Sequence, residues 1–86
     1  MASKQELKVS EARILLYLSQ VNNTSKNVAN ISTKLSIGYS YLSNLLRDMV
    51  SKRWVFKHSL QTKMFYDLTV DGKALLKKAR RVVADE

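Results

Sequence analysis

The chain has 86 residues, 45% of them hydrophobic and 26% charged, with a formal net charge of +8 and a pI near 10.0. That length holds one small hydrophobic core at most, and the composition excludes a chain that is disordered throughout. With no cysteine, disulfide frameworks and thiolate zinc sites are excluded as well.

Apolar runs such as Ile14 to Leu18 are far too short to span a bilayer. The first residues, MASKQELKVSEAR, carry charge where a signal peptide needs an apolar segment. The expectation is a soluble, cytoplasmic protein with no membrane partner. The positive charge points to polyanions, of which nucleic acid is the commonest inside cells. Acids are absent between Glu11 and Asp48, while Arg13, Lys26, Lys34 and Arg47 fall inside that span.

In chain order, residues 1–9 read as a flexible or extended lead-in, and 10–86 as a single domain. Ser10 is placed to cap a first helix, with Glu11 in the first turn. Ile14, Leu15, Leu18 and Val21 form its apolar side, and Asn22-Asn23 closes it. Thr24 to Lys26 is a connector with room for a brief extended piece. Asn27 then caps a second helix, in which Val28, Ile31 and Leu35 share a face.

Ser36-Ile37-Gly38 separates this helix from a third, and Gly38 is expected to let the chain turn sharply there. Leu42, Leu45, Leu46, Met49 and Val50 give the third helix a wide apolar stripe. Helix, tight turn, helix is the pattern of a helix-turn-helix unit.

After Lys52 the period changes. Trp54-Val55-Phe56 and Met64-Phe65-Tyr66, with Leu68 beyond, are β-prone, and His58 to Thr62 reads as the loop of a hairpin. Trp54 and Phe56 are expected to pack at the base of that hairpin. Thr69 caps a final helix over 69–86 with Asp71 near its start and Lys77, Lys78, Arg80 and Arg81 toward its end, an order that suits the helix dipole. The fold class is mainly α with a small β-hairpin (α+β), in the order α-α-α-β-β-α. That is a winged helix-turn-helix, with the hairpin as wing.

The side of the third helix turned away from the apolar stripe carries Tyr39, Ser40, Ser43, Asn44 and Arg47, with Tyr41 at its edge. These side chains suit base edges in a DNA major groove, Arg47 addressing guanine and Asn44 adenine. Lys57, His58, Gln61 and Lys63 of the wing, and Lys26 and Asn27 at the second helix start, are candidates for phosphate contacts. The lone His58 has no second histidine or cysteine beside it, so neither metal nor cofactor is expected. No glycine-rich phosphate loop or histidine–carboxylate pairing points to an enzyme.

Three stretches carry a family resemblance. They are Ile31 to Ile37 across the second helix and turn, the spaced leucines from Leu42 to Met49, and Tyr66-Asp67-Leu68-Thr69-Val70-Asp71-Gly72-Lys73-Ala74-Leu75-Leu76. The last is similar to the Leu-Thr-x-x-Gly-x-x-Leu-Leu signature that follows the wing in MarR-like winged-helix regulators, and the likeness runs from about Ser10 to Arg80. It implies double-stranded DNA as partner and a homodimeric regulator of transcription. Members usually carry a glycine where Arg53 stands, and are longer, with extra terminal helices that build the dimer.

Here Leu76, Ala79 and Val83 of the final helix are the candidates for a dimer interface, unless that face completes the core of one copy. Two other readings stay open. One is a protein-interaction winged helix; the other is an architectural or replication-associated DNA binder with little sequence preference.

Overall fold

The computed structural model describes residues 7–85. It runs α1 (Val9–Gln20), a 3-10 turn (Asn23–Ser25), α2 (Val28–Leu35), α3 (Tyr39–Ser51), β1 (Val55–Leu60), β2 (Lys63–Leu68), α4 (Val70–Ala74) and α5 (Leu76–Ala84). The expected order holds, with the final helix broken in two. At Leu75 the hydrogen bonding tightens, the Leu75 N–H reaching the Gly72 carbonyl at 3.1 Å, and the chain sets off again as α5.

α1 begins earlier than expected. Lys8, not Ser10, occupies the capping position, and its backbone N–H donates to Glu11 Oε1 at 3.0 Å. Leu7 is buried in the core and Val9 is already helical, so both belong to the packed structure and not to a lead-in; residues 1–6 lie outside the described residues. The helix also ends earlier, at Gln20, leaving Val21 extended.

Asn27 caps α2 as expected, its side-chain oxygen accepting from the Asn30 N–H at 2.9 Å. The turn after α2 works differently from the expectation. The residue in the left-handed region is Ser36 (φ 55°), whereas Gly38 has an ordinary φ of −56° and open space where a side chain would go. The Ile37 N–H reaches back to the Ser32 carbonyl at 3.1 Å, and Ser32 Oγ donates to the Ile37 carbonyl at 2.6 Å. A left-handed residue with a six-to-one bond is the Schellman way of ending a helix. Arg13 Nη2 adds a cation at the same end, donating to the Leu35 carbonyl at 3.0 Å.

α3 ends in the same manner. Arg53 takes the left-handed conformation (φ 65°), and the Trp54 N–H bonds the Met49 carbonyl at 3.0 Å. Arg53 therefore adopts the backbone that glycine would adopt with less strain. The strands that follow are longer and closer than expected. Val55 pairs with Leu68 and Leu60 with Lys63, so the connection is the two residues Gln61-Thr62, with Gln61 at φ 59°. His58 and Ser59 are thus strand residues, not loop. The brief extended piece is present at Lys26–Asn27, where Asn27 bridges Phe65 and the Tyr66 N–H bonds the Lys26 carbonyl at 2.9 Å.

Ile14, Leu15, Leu18, Ile31, Leu42, Leu46, Met49 and Val55 are fully buried, placing the core between α1, the two helices of the helix-turn-helix and the wing base. Trp54 is buried at that base as expected, but Phe56 is 45% exposed. Its alternate position along β1 turns it to the outer face of the hairpin. α5 packs on α1, with Ala79 fully buried and Leu76, Val82 and Val83 half-buried on the same side. Ala79 completes the core of one copy and has no surface left for a second.

Two local contacts hold the end of α3 and the wing base in place. Thr69 caps α4, accepting from the Gly72 N–H at 3.0 Å while its hydroxyl donates to the Arg53 carbonyl at 2.5 Å and lies 3.0 Å from that of Trp54. Gly72 lies so close that a Cβ there would fall on the Trp54 carbonyl. The second contact is electrostatic. Glu11 is completely buried, and its Oε2 lies 3.2 Å from Lys52 Nζ, which also meets Asp48 at 3.1 Å and sits 4.5 Å from the centre of the Trp54 ring.

Gly72→Ala is expected to lower stability by about 2–3 kcal/mol in urea denaturation, since backbone has to move to admit the methyl. Gly38→Ala is expected to change it by less than about 1 kcal/mol; equal losses at both sites would contradict this packing. Lys52→Met should cost about 3–5 kcal/mol by leaving a buried carboxylate without its cation. Glu11→Gln should cost less, because Lys52 keeps Asp48 and solvent. The reverse ranking would refute the pairing of the buried Glu11 with Lys52.

Candidate nucleic-acid interface

The apolar stripe of α3 is taken up by the core, so its remaining sides are fixed by helical geometry. Tyr39 (62% exposed) and Tyr41 (53%) stand out from its first turn, with Ser40, Asn44 and Arg47 exposed and Ser43 half-buried. The expected face is therefore present, and it divides into two flanks. Tyr39, Ser43 and Arg47 turn toward the wing, and Ser40, Tyr41 and Asn44 do not line the grooves on that side.

Register decides which wing residues meet the helix. Residues paired across an antiparallel ladder share a face, and neighbours along a strand alternate. Lys57 pairs with Tyr66 and Ser59 with Met64, so these four share one face. Lys57, Met64 and Tyr66 close a groove with Tyr39, Ser43, Arg47 and Val50 of α3. A second groove runs on toward the start of α2, between Asn27, Asn30, Tyr39, Lys63 and Met64. Among the described residues, no acid lines either groove. Arg47, Lys57 and Lys63 stand along them, so the field there is cationic.

Three of the expected contact residues have side chains engaged within the fold. Lys26 is buried and its Nζ is paired with Asp67 Oδ1 at 2.9 Å, so its charge ties the start of α2 to β2 and is not offered to a phosphate. His58 lies on the opposite face of the hairpin from Lys57, stacked at 5.8 Å on Phe65 and 5.6 Å from Phe56. Asn27 lines the second groove, but its side chain already caps α2 and donates to the Thr24 carbonyl at 3.3 Å. Gln61 stands exposed at the wing tip.

Asn30, Met64 and Tyr66 belong to the grooves and were not singled out from the sequence. The alternation of Met64 and Tyr66 along β2 is the signal that finds them, once the turn is placed at Gln61-Thr62. Tyr66 is the group of this site with a shifted equilibrium. Burial raises its phenol pKa above the ordinary 10.0, the nearby Tyr39 adds to the rise and Arg47 opposes it. Behind the helix, burial works against the charge of Lys52, but the hydrogen bonds and charges of Asp48 and Glu11 outweigh it and lift its pKa above 10.5.

A helix-turn-helix followed by a hairpin that folds back beside the second helix is a winged helix. No protein-family model matches the chain, and no curated relative matches it. Solved structures do. MepR, a transcription regulator of the Staphylococcus aureus multidrug efflux pump MepA, superposes with a TM-score of 0.73 over 93% of this chain and 60% of its own, at 19% identity.

S. aureus MepR bound to ethidium bromide gives 0.78 over 96% and 61%, at 19% identity. A MepR mutant bound to an oligodeoxyribonucleotide gives 0.75 over 88% and 57%, at 20% identity. The chain thus spans about three-fifths of the length of the structures it matches. MepR is a MarR-family winged-helix regulator, and the likeness establishes the architecture that the sequence resemblance implied.

Raised pKa values at Tyr66 and Lys52 have the same sign in the stability. Each group holds its proton more tightly folded than unfolded, so its contribution is complete below the ordinary values of 10.0 and 10.5 and is lost as pH rises through the folded ones. Urea stability is expected to fall as pH rises above about 10, and to fall less in Tyr66→Phe. Identical slopes for the two proteins would count against the buried position of the Tyr66 phenol.

Proposed function

We propose that this chain is a winged-helix DNA-binding protein that regulates transcription by occupying its site. The observation that carries the reading is the pair of adjoining grooves beside α3, lined by no acid among the described residues and flanked by Arg47, Lys57 and Lys63, with the exposed hydrogen-bonding side chains Ser40, Tyr41 and Asn44 on the neighbouring flank of the helix. A major groove admits one α-helix, and Asn44 and Arg47 are the side chains suited to adenine and guanine edges. Lys57 and Lys63, on the wing, are suited to the phosphates of the strand beside α3, which set register without reading sequence. MepR supports the reading as a regulator of the same architecture that has been captured with an oligodeoxyribonucleotide.

The active form in this reading is a homodimer, placed in the cytoplasm with the DNA. A single copy reaches few base pairs, and two copies read half-sites about one helical turn, roughly 34 Å, apart. Leu76 and Val83 keep exposed portions beside the α1–α5 contact, where a second copy would extend it.

The test is fluorescence anisotropy of a labelled mixed-sequence duplex across a salt series, followed by selection of preferred sites. Affinity should fall steeply as salt rises. Arg47→Ala or Asn44→Ala should cost about 1–3 kcal/mol on a preferred site and relax selectivity, whereas Lys57→Ala should weaken all sequences alike. Even losses from all three variants would instead favour an architectural binder. Absence of binding at low salt would end the DNA reading and make the α3 face bait for a protein partner.

A further inference from the structure

The grooves beside α3 do not account for the densest run of charge. Lys73, Lys77, Lys78, Arg80 and Arg81 fall within nine residues that hold no acid. Lys73, Lys77, Arg80 and Arg81 are exposed, and no ion pair or side-chain hydrogen bond among the described residues engages them. Lys77, Arg80 and Arg81 stand at i, i+3 and i+4 on α5, one face of a helix, and Lys73 precedes them by one turn across the break at Leu75. The other side of α5, with Ala79 and the half-buried Val82 and Val83, is held against α1. None of the residues lining the grooves beside α3 comes from α4 or α5.

The chemistry of this stripe selects its partner. A membrane-surface helix needs a continuous free apolar face to insert, and here the apolar side of α5 is packed against α1, leaving Val70, Ala74 and Ala84 exposed singly beside the cations. A protein interface needs an apolar centre, and the stripe has none. What it offers is cations along about 12 Å of helix, against a duplex that carries one phosphate per about 3.4 Å of each strand. We propose that the α4–α5 stripe is a second, sequence-independent site for a DNA backbone, so that one copy of the chain holds two duplex segments at once. The two-duplex claim rests on the reading of α3 as a DNA-binding helix; the stripe itself does not.

The experiment loads the protein onto an immobilised duplex, removes the excess, and measures capture of a second, fluorescent duplex. Two variants that each remove three positive charges are compared, Lys77→Gln/Arg80→Gln/Arg81→Gln and Arg47→Gln/Lys57→Gln/Lys63→Gln, both verified as folded by circular dichroism. Glutamine keeps helix propensity close to that of lysine and arginine. The α5 variant should lose second-duplex capture by about tenfold or more while its affinity for a single duplex falls by less than about threefold.

Capture that survives in the α5 variant would overturn the proposal, since the second duplex is then held by another copy's α3. Binding to phosphatidylserine vesicles that this variant abolishes, with no capture of a second duplex by the wild type, would overturn it in favour of a lipid surface. If single-duplex affinity falls with the α5 variant and not with the α3–wing variant, the reading of α3 is what fails, and the stripe stands as the DNA site.

Discussion

A fully buried carboxylate ties together the elements that meet around α3. Glu11 sits in the first turn of α1, and burial of a charge there is unfavourable unless it is paired and hydrogen-bonded. The Lys8 N–H meets one oxygen and Lys52 Nζ the other. Lys52 is the residue at which α3 ends, and its ammonium also lies over the ring of Trp54, from which the wing begins. One cation therefore joins α1, α3 and the hairpin base. The angle at which Tyr39, Ser43 and Arg47 face Lys57 and Met64 depends on that junction, although none of its members lies in the grooves.

A second, partly buried pair does the same at the other side of the wing. Lys26 and Asp67 fasten the start of α2 to β2, where the Lys26 carbonyl and Asn27 already make an isolated bridge to the hairpin. Together the two pairs sort the charge of the molecule. Glu11, Asp48 and Asp67 are engaged with lysines inside or beside the core, while Arg47, Lys57, Lys63 and the α5 stripe remain outward. The fold thus presents a more cationic surface than an even mixing of charges would give.

How much was legible in advance divides along the range of the interactions. Helices with a clear apolar period, and the caps at Asn27 and Thr69, depend on residues a few positions apart, and they appear where local reading places them. Lys26 was misread because its partner is 41 residues away, and nothing local separates a lysine bound for Asp67 from one bound for a phosphate. Glu11 was read from its place in the first turn of α1, which holds, while its pairing with Lys52, also 41 residues away, was out of local reach. The wing lost three residues to its supposed loop because Gln61 takes a positive φ without being glycine, asparagine or aspartate, the usual markers of such a turn. That misplaced turn hid the register, and with it the assignment of Met64 to one face and His58 to the other.

The two glycines carry the same lesson about what a fold requires. At both helix ends that close in the left-handed region, Ser36 and Arg53 stand where glycine would be less strained, and hydrogen bonds hold the conformation regardless. Gly72, in ordinary helical backbone, is the glycine that a close approach makes necessary. Constraints of this kind, an apolar period here and a missing Cβ there, can be met by many sequences, so about 20% identity suffices to share an architecture with MepR. The side chains of the outer α3 face and of the α5 stripe are under none of these constraints. They are free to differ between proteins of one fold, which is why function has to be argued from those residues and not from the likeness.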